Sequence, residues 1–142
     1  MSEVSKVLFV CLGNICRSPT AQGVFETLIA SKQLSHAFEV DSARTSAWHI
    51  DDAPDSRTIN AAKQRGYELA HLRGRQVTRE DFSRFDYILA MDHDNLHELK
   101  KLKPKEYSGH LGLFLAFDTA SPIEEVPDPY YGGQRGFDNV LD

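Results

Sequence analysis

Cysteine is scarce in this sequence, and long apolar runs are missing. Two cysteines, Cys11 and Cys16, are too few for a disulfide framework or for a four-thiolate zinc site. The apolar run near the start, residues 7–10, is far shorter than a secretory core or a transmembrane helix. We therefore expect a cytoplasmic protein that is not embedded in a membrane and keeps both cysteines as thiols.

Basic residues are in the minority. The chain has 16 lysines and arginines against 21 aspartates and glutamates, which gives a net charge of −5. This balance argues against nucleic acid or an anionic membrane surface as the main partner. The 142 residues and ordinary composition predict one domain over 1–142 with a full hydrophobic core. A last helix beginning near Gly136 would have only about six residues, so we expect it to be short or truncated.

Strand-like and helix-like patterns alternate along the chain. Strands are predicted at residues 6–10, 38–43, 85–91 and 111–117. Helices are predicted at residues 20–30, 54–66 and 94–103, with a short helical turn at 78–82. This alternation predicts an α/β fold, a four-stranded parallel sheet with helices on both faces. In such sheets, ligands bind at the carboxyl ends of the strands.

One loop lies at such a strand end, between the first strand and the first helix. Cys11 directly follows the strand, and Arg17 lies six positions later, where the helix opens. Loop N–H groups and a helix N-terminus together favour a dianion, and the same field favours the thiolate form of a cysteine. An arginine can bind two phosphoryl oxygens at once. The arrangement predicts a phosphate-binding loop with a cysteine nucleophile.

Three further residues support that interpretation. Gly13 and Asn14 suit a tight or left-handed turn, and Ser18 can donate a hydrogen bond to the Cys11 sulfur. A cysteine and an arginine at this spacing are by themselves a weak pattern, because most free cysteines are small buried residues. A catalytic cysteine is favoured over a buried structural one by the features around it: the preceding strand, the Gly-Asn pair and the Ser-Pro start of the helix.

A thiolate that attacks a phosphate ester requires a proton donor for the departing oxygen. Asp128 is the best candidate, since it lies in a turn-rich loop beside Pro129 and Tyr130. Asp-Pro and Gly-Gly pairs are often only turn residues. Together with the Cys11 loop, however, Asp128 is the predicted general acid.

These residues resemble a known family. Residues 10–19 are similar to the phosphate loop of the low-molecular-weight protein tyrosine phosphatases, and residues 128–131 resemble their general-acid loop. Residues 42–49 and 85–92 are also similar to family segments, so the resemblance spans nearly the whole chain. It implies hydrolysis of protein phosphotyrosine and small aryl phosphates, a phosphate or other oxyanion in the loop, and no cofactor or metal.

The resemblance also implies residue roles. Cys11 attacks phosphorus, Arg17 holds the phosphate, and Asp128 acts first as acid and then as base. Ser18 stabilises the thiolate, while Asn14 and His71 support the loop. The predicted substrate-binding residues are Leu12, Gly13, Asn14, Ile15, Cys16, Trp48 and Tyr130, of which Trp48 and Tyr130 would wall a pocket deep enough for an aromatic ring.

Two alternatives within the same fold stay open. An arsenate reductase would relay a disulfide through two further cysteines, which this sequence lacks. Related arginine phosphatases carry a threonine at the position of Ile15, so Ile15 favours phosphotyrosine. A non-catalytic phosphotyrosine-binding module is a third possibility, which the presence of both Cys11 and Asp128 disfavours. Cys16 is a predicted redox partner that forms a disulfide with Cys11 under oxidants.

The remaining charged residues suggest little chemistry. Arg44 departs from the family, which commonly has glycine there, and a solvated charge at the substrate rim is the simpler interpretation. His93 and His97 share a helical spacing but have no apparent third ligand, so no metal site is predicted. A solvated basic face is predicted for Arg73, Arg75 and Arg79.

Overall fold

A computed structural model describes residues 4–11, 17–45, 54–72, 74–117 and 126. Its four strands are β1 (Ser5–Cys11), β2 (Phe38–Arg44), β3 (Tyr87–Ala90) and β4 (His110–Leu113). They form one sheet in the order β2-β1-β3-β4, and each neighbouring pair is parallel. The predicted four-stranded parallel sheet is therefore confirmed.

Helices connect these strands. They are α1 (Arg17–Ser31), α2 (Ser56–Gln64), α3 (Asp81–Arg84) and α4 (His93–Leu102), with 3-10 turns at Ser35–Ala37 and Phe114–Phe117. None of the helices in the described ranges is long and apolar enough to cross a membrane.

The core has two halves, one on each face of the sheet. Leu8 and Val10 of β1 pack with Phe82 and Leu99 of α3 and α4. The alternate β1 side chains, among them Phe9, face the other way, toward α1 and the 3-10 turn after β4. Because successive side chains of a strand point to opposite faces, β1 is buried on both sides, as its continuous apolar sequence predicts.

The boundaries of α2 follow from local chemistry. The Asp55 carboxylate accepts a hydrogen bond of 2.9 Å from the Arg57 backbone N–H and caps the start of the helix. At the other end, Gly66 has a φ of +89°, which glycine adopts without strain. Its N–H donates to the Lys63 carbonyl over 3.0 Å. The predicted proline-to-glycine helix is confirmed, one turn shorter than expected.

Two sequence predictions were wrong in detail. The fourth strand ends at Leu113, and the next four residues form the 3-10 turn rather than more strand. Helix α4 begins at His93, because Asp92 caps it by accepting a 2.7 Å hydrogen bond from the Asn95 N–H. The sequence pattern had placed this cap at Asp94. A continuous apolar run does not reveal where a strand stops pairing, since strand and helix can both bury such residues.

The predicted solvated basic face is also wrong for Arg75. Its guanidinium donates to Asp41 of β2 over 2.9 Å and to both carboxylate oxygens of Asp81 over 3.0 and 3.1 Å. Asp81, the first residue of α3, is buried. Arg75 therefore links α3 to β2 by binding the carboxylates of Asp81 and Asp41. Arg79 is exposed as predicted, and Arg73 lies outside the described residues.

Candidate active site

The site lies where the strand order reverses. The chain leaves β1 toward β2 on one side, whereas β3 lies on the other side of β1. In doubly wound sheets, ligands bind outside the carboxyl ends of the strands at such a switch point. Cys11 is the last residue of β1, and Asp92 follows β3 by two positions, so both reach the same edge.

The Cys11 thiol is buried and lies next to a hydroxyl. Its sulfur is 3.0 Å from the Ser18 Oγ, a hydrogen-bond distance at which either atom could donate. Ser18 is fully buried and its hydroxyl is also within 3.4 Å of the Ala43 carbonyl. Helix α1 thus holds the Ser18 hydroxyl within hydrogen-bond distance of the sulfur.

Arg17, the first residue of α1, is also buried, with 4% of its side chain exposed. Its Nη1 donates to the Asp92 carboxylate over 2.5 Å and to the Val126 carbonyl over 3.1 Å. The same Asp92 caps α4 through its other oxygen. Because one carboxylate is tied to a helix start and to the guanidinium at once, Arg17 is held in a fixed position at the strand ends.

The first turns of α1 are unusual because polar side chains are buried there. Thr20 and Gln22 are buried together with Arg17 and Ser18. Gln22 accepts a hydrogen bond of 2.6 Å from the Ser42 hydroxyl of β2. These side chains have partners inside the protein, among them Asp92 for Arg17 and Ser42 for Gln22. The backbone N–H groups at the start of α1 are the part of this arrangement that suits an oxyanion.

Val126, two positions before the predicted general acid, lies at this edge. The Val126 N–H donates to the Met91 carbonyl over 2.8 Å, directly before Asp92. The Val126 side chain is buried in the same apolar cluster as Cys11. Asp128 itself lies outside the described residues, two positions further along the chain.

Eight of the predicted site residues lie outside the described part of the chain. They are Leu12, Gly13, Asn14, Ile15, Cys16, Trp48, Asp128 and Tyr130. His71 is described, and its side chain is exposed in the turn that follows α2. It is near Glu26 of α1: burial raises the pKa of Glu26, and the charge of His71 opposes that rise. The predicted support of Asn14 by His71 stays a prediction.

The sequence interpretation missed Asp92, although a signal for it exists. Asp92 follows a predicted strand directly, and so does the loop that begins after Cys11. Side chains at the carboxyl ends of adjacent parallel strands meet at one edge of the sheet. The carboxylate could therefore have been suggested as a partner for Arg17. Nothing in the sequence indicated that the Val126 carbonyl would also take part.

The interpretation of Arg44 as a solvated surface charge was wrong. Arg44 is 1% exposed and is the largest fully buried side chain among the described residues. It ends β2, and its backbone pairs in register with Cys11 of β1. A charged side chain that would be expected at the surface is thus buried next to the nucleophile position.

Metal-binding clusters are not found in the part of the chain that the structure describes. No three His, Cys, Asp or Glu side chains converge there. His93 and His97 are both exposed on α4.

Comparison with known proteins agrees with this geometry. A family model described as low molecular weight phosphotyrosine protein phosphatase matches residues 6–142. The low molecular weight phosphotyrosine protein phosphatase of Gallus gallus is 42% identical over 142 residues, which cover 99% of this chain and 89% of the relative.

Solved structures give the same result. A protein tyrosine phosphatase from Entamoeba histolytica with Hepes in the active site is 43% identical, with a TM-score of 0.91 over 96% of this chain and 87% of that one. The Drosophila arginine phosphatase is 35% identical, with a TM-score of 0.88 over 96% and 88% of the two chains. The matches extend over nearly the full chain, so this protein is an enzyme that belongs to the low molecular weight phosphotyrosine protein phosphatase family.

Proposed function

We propose that this enzyme hydrolyses phosphotyrosine in proteins, and small aryl phosphates, through a cysteinyl-phosphate intermediate. The observation that carries the proposal is the grouping at the sheet edge of a buried thiol, a hydroxyl 3.0 Å from its sulfur, and a buried arginine fixed by Asp92. A nucleophile, a group that stabilises its thiolate and a cation for the phosphate are the elements that such a reaction requires.

In the first step, the Cys11 thiolate attacks phosphorus in line and the bond from phosphorus to the tyrosine oxygen breaks. Arg17, at the start of α1, holds the equatorial oxygens together with the loop N–H groups of residues 12–16. Asp128 gives its proton to the departing phenolate. The products of this step are tyrosine and a phosphate bound to the Cys11 sulfur.

In the second step, Asp128, now a carboxylate, removes a proton from water, which attacks phosphorus and breaks the sulfur–phosphorus bond. The sulfur leaves as a thiolate, and the Ser18 hydroxyl stabilises it. Inorganic phosphate is released, Asp128 is protonated again, and no redox change occurs.

Chain length supports the assignment of Asp128. Val126 accepts a hydrogen bond from Arg17, and two residues of chain span at most about 7 Å. The chain is therefore long enough for Asp128 to reach the phosphate that Arg17 would hold.

The same reasoning applies to Trp48, which follows Thr45 by three residues. The Thr45 N–H donates to the Cys11 carbonyl over 2.9 Å. Trp48 and Tyr130 then form the walls against which the substrate ring packs.

Phosphoarginine hydrolysis is a second candidate, because a structural relative is an arginine phosphatase. Ile15 favours phosphotyrosine, since the related arginine phosphatases carry threonine there. Arsenate reduction remains the weakest alternative, because the chain has only the two cysteines Cys11 and Cys16. We also expect a cytoplasmic location and an oxyanion-bound resting state in phosphate buffer.

The test is to assay the purified protein on a phosphotyrosine peptide, on phosphoarginine and on arsenate with a thiol reductant. We expect hydrolysis of the peptide with the highest kcat/KM and complete loss in Cys11→Ser. A Cys11→Ser protein with unchanged activity would overturn the cysteine mechanism. A higher kcat/KM for phosphoarginine would overturn the substrate assignment while leaving the mechanism intact.

A further inference from the structure

Arg44 is buried beside the nucleophile. It is the last residue of β2, it is 1% exposed, and it is the register partner of Cys11 in the parallel pair of β1 and β2. Neighbouring strands lie about 4.8 Å apart, so the two backbones are adjacent. The Arg44 N–H donates to the Arg75 carbonyl, and its own carbonyl accepts from the Val77 N–H, both over 2.8 Å. The backbone of Arg44 is thus paired with residues 75–77 along one side of β2.

The side chain of Arg44 is on the same face of the sheet as that of Cys11. Ser42, two positions earlier in β2, bonds through its hydroxyl to Gln22 of α1, so this face is covered by α1. Cys11 packs in the apolar cluster that includes Phe25 of α1. Since side chains alternate along a strand, Arg44 points as Ser42 does, toward the α1 face. It therefore lies on the side of the sheet that α1 covers, at the strand end that carries Cys11.

The charge at this position matters for an oxyanion. A guanidinium stays ionised even when buried, and a buried charge acts through a low dielectric. Arg17 is already bound to Asp92, whose negative charge offsets part of its attraction for a phosphate. A second buried cation nearby attracts both forms of the ligand, and its interaction energy with the doubly charged form is about twice that with the singly charged form.

We propose that Arg44 is a specificity-determining residue of the phosphate site, which favours doubly charged over singly charged oxyanions. This inference rests on the proposed function, because it takes residues 12–16 to be the phosphate loop. It concerns ligand charge, and not the choice between tyrosine and arginine esters. It also gives a role to a side chain that differs from the glycine common in the family.

The test compares two ligands of the same shape and different charge. Benzylphosphonate carries close to two negative charges at pH 8, and phenylmethanesulfonate carries one. Their dissociation constants are measured by calorimetry for the wild type, for Arg44→Met, which keeps much of the volume, and for Arg44→Lys, which keeps the charge. Arg84→Met is the matched control, because Arg84 is exposed and pairs with Glu39 at the opposite end of β2.

We expect Arg44→Met to weaken phosphonate binding about tenfold and sulfonate binding about threefold, because the Coulomb energy doubles with ligand charge. Arg44→Lys should keep most of the difference between the ligands, and Arg84→Met should change neither. If Arg44→Met does not fold by circular dichroism, Arg44→Gly, the residue common in the family, replaces it. Unchanged affinities, or equal losses for both ligands, would overturn the inference.

The outcome is separable from that of the proposed function. Binding of the two ligands requires no turnover, so it can be measured whether or not the enzyme hydrolyses phosphotyrosine. An active enzyme whose Arg44→Met variant keeps the ligand preference contradicts only the role of Arg44. An enzyme inactive on aryl phosphates that still loses the preference in Arg44→Met contradicts only the proposed reaction.

Discussion

The guanidinium of Arg17 donates a hydrogen bond of 2.5 Å to the carboxylate of Asp92, although the two residues are 75 positions apart. Arg17 begins α1 and Asp92 caps α4, so one ion pair joins the starts of two helices at the edge of the sheet. The pair is largely shielded from water, with 4% and 19% of the two side chains exposed. It fixes the cation before any phosphate arrives, which reduces the ordering that binding requires.

Asp92→Asn should separate this orienting role from the helix cap. Asparagine caps helices as well as aspartate does, so the cap is kept, but the buried Arg17 guanidinium loses its counter-charge and we expect a Tm below that of the wild type. The loss of the ion pair should lower kcat/KM for an aryl phosphate about tenfold to a hundredfold, because Arg17 is no longer held in one orientation. Asp94→Asn, an exposed change in the first turn of the same helix, is the control. Equal activity of the two variants would contradict the role of Asp92.

Asp128→Ala should slow the first step by about a hundredfold or more, because no acid then protonates the leaving oxygen. The loss should be greatest for phosphate esters with poor leaving groups. The measurement is kcat for a series of aryl phosphates with graded leaving-group acidity, compared between wild type and variant. A uniform loss across the series would mean that Asp128 acts elsewhere.

Cys16 should protect Cys11 from irreversible oxidation. Peroxide converts the Cys11 thiolate to a sulfenic acid, and the Cys16 thiol then displaces water to form a disulfide that a thiol reductant reverses. Mass spectrometry after mild peroxide should find the Cys11–Cys16 disulfide and full recovery of activity with reductant. Cys16→Ser should recover much less. Sulfinic or sulfonic acid at Cys11 as the main wild-type product would reject this prediction.

Tyr107→Phe should change the alkaline stability of the fold. Burial, and then the charge of Asp86, raise the pKa of Tyr107 to about 12. In the unfolded chain the same phenol ionises near pH 10, as tyrosines ordinarily do. Above that pH the unfolded state holds fewer protons, so the folded state loses stability as pH rises from about 10 to about 12. Below pH 10 this contribution is fully present.

Phenylalanine at this position cannot ionise, so the decline in unfolding free energy between pH 10 and 12 should be shallower in the variant. At pH 7 the variant should be less stable by about 1 kcal/mol, because the hydroxyl donates to the Phe85 carbonyl over 3.1 Å. Urea unfolding across this pH range measures both effects. Tyr87→Phe, at an exposed tyrosine, is the control. An identical alkaline decline in wild type and Tyr107→Phe would refute the assignment.

The alternating apolar pattern was sufficient to predict the parallel sheet, because strands buried on both faces and helices between them have distinct local patterns. The spacing of Cys11, Arg17 and Ser18 was sufficient to suggest a phosphate loop, because all three lie within one strand–loop–helix unit. In each case the relevant interactions are local in the chain. The position of the site at the carboxyl end of β1 followed from the fold class alone.

Tertiary structure decided what depends on contacts between distant segments. Three features each bring together residues that are far apart in the sequence: the pairing of Arg17 with Asp92, the approach of Val126, and the burial of Arg44 beside Cys11. Arginine is usually exposed, so the sequence alone predicts a surface position for Arg44. Its burial follows from the register of β2 on β1, which places it on the face that α1 covers. Local propensity cannot encode such a placement, because it follows from which strands lie side by side.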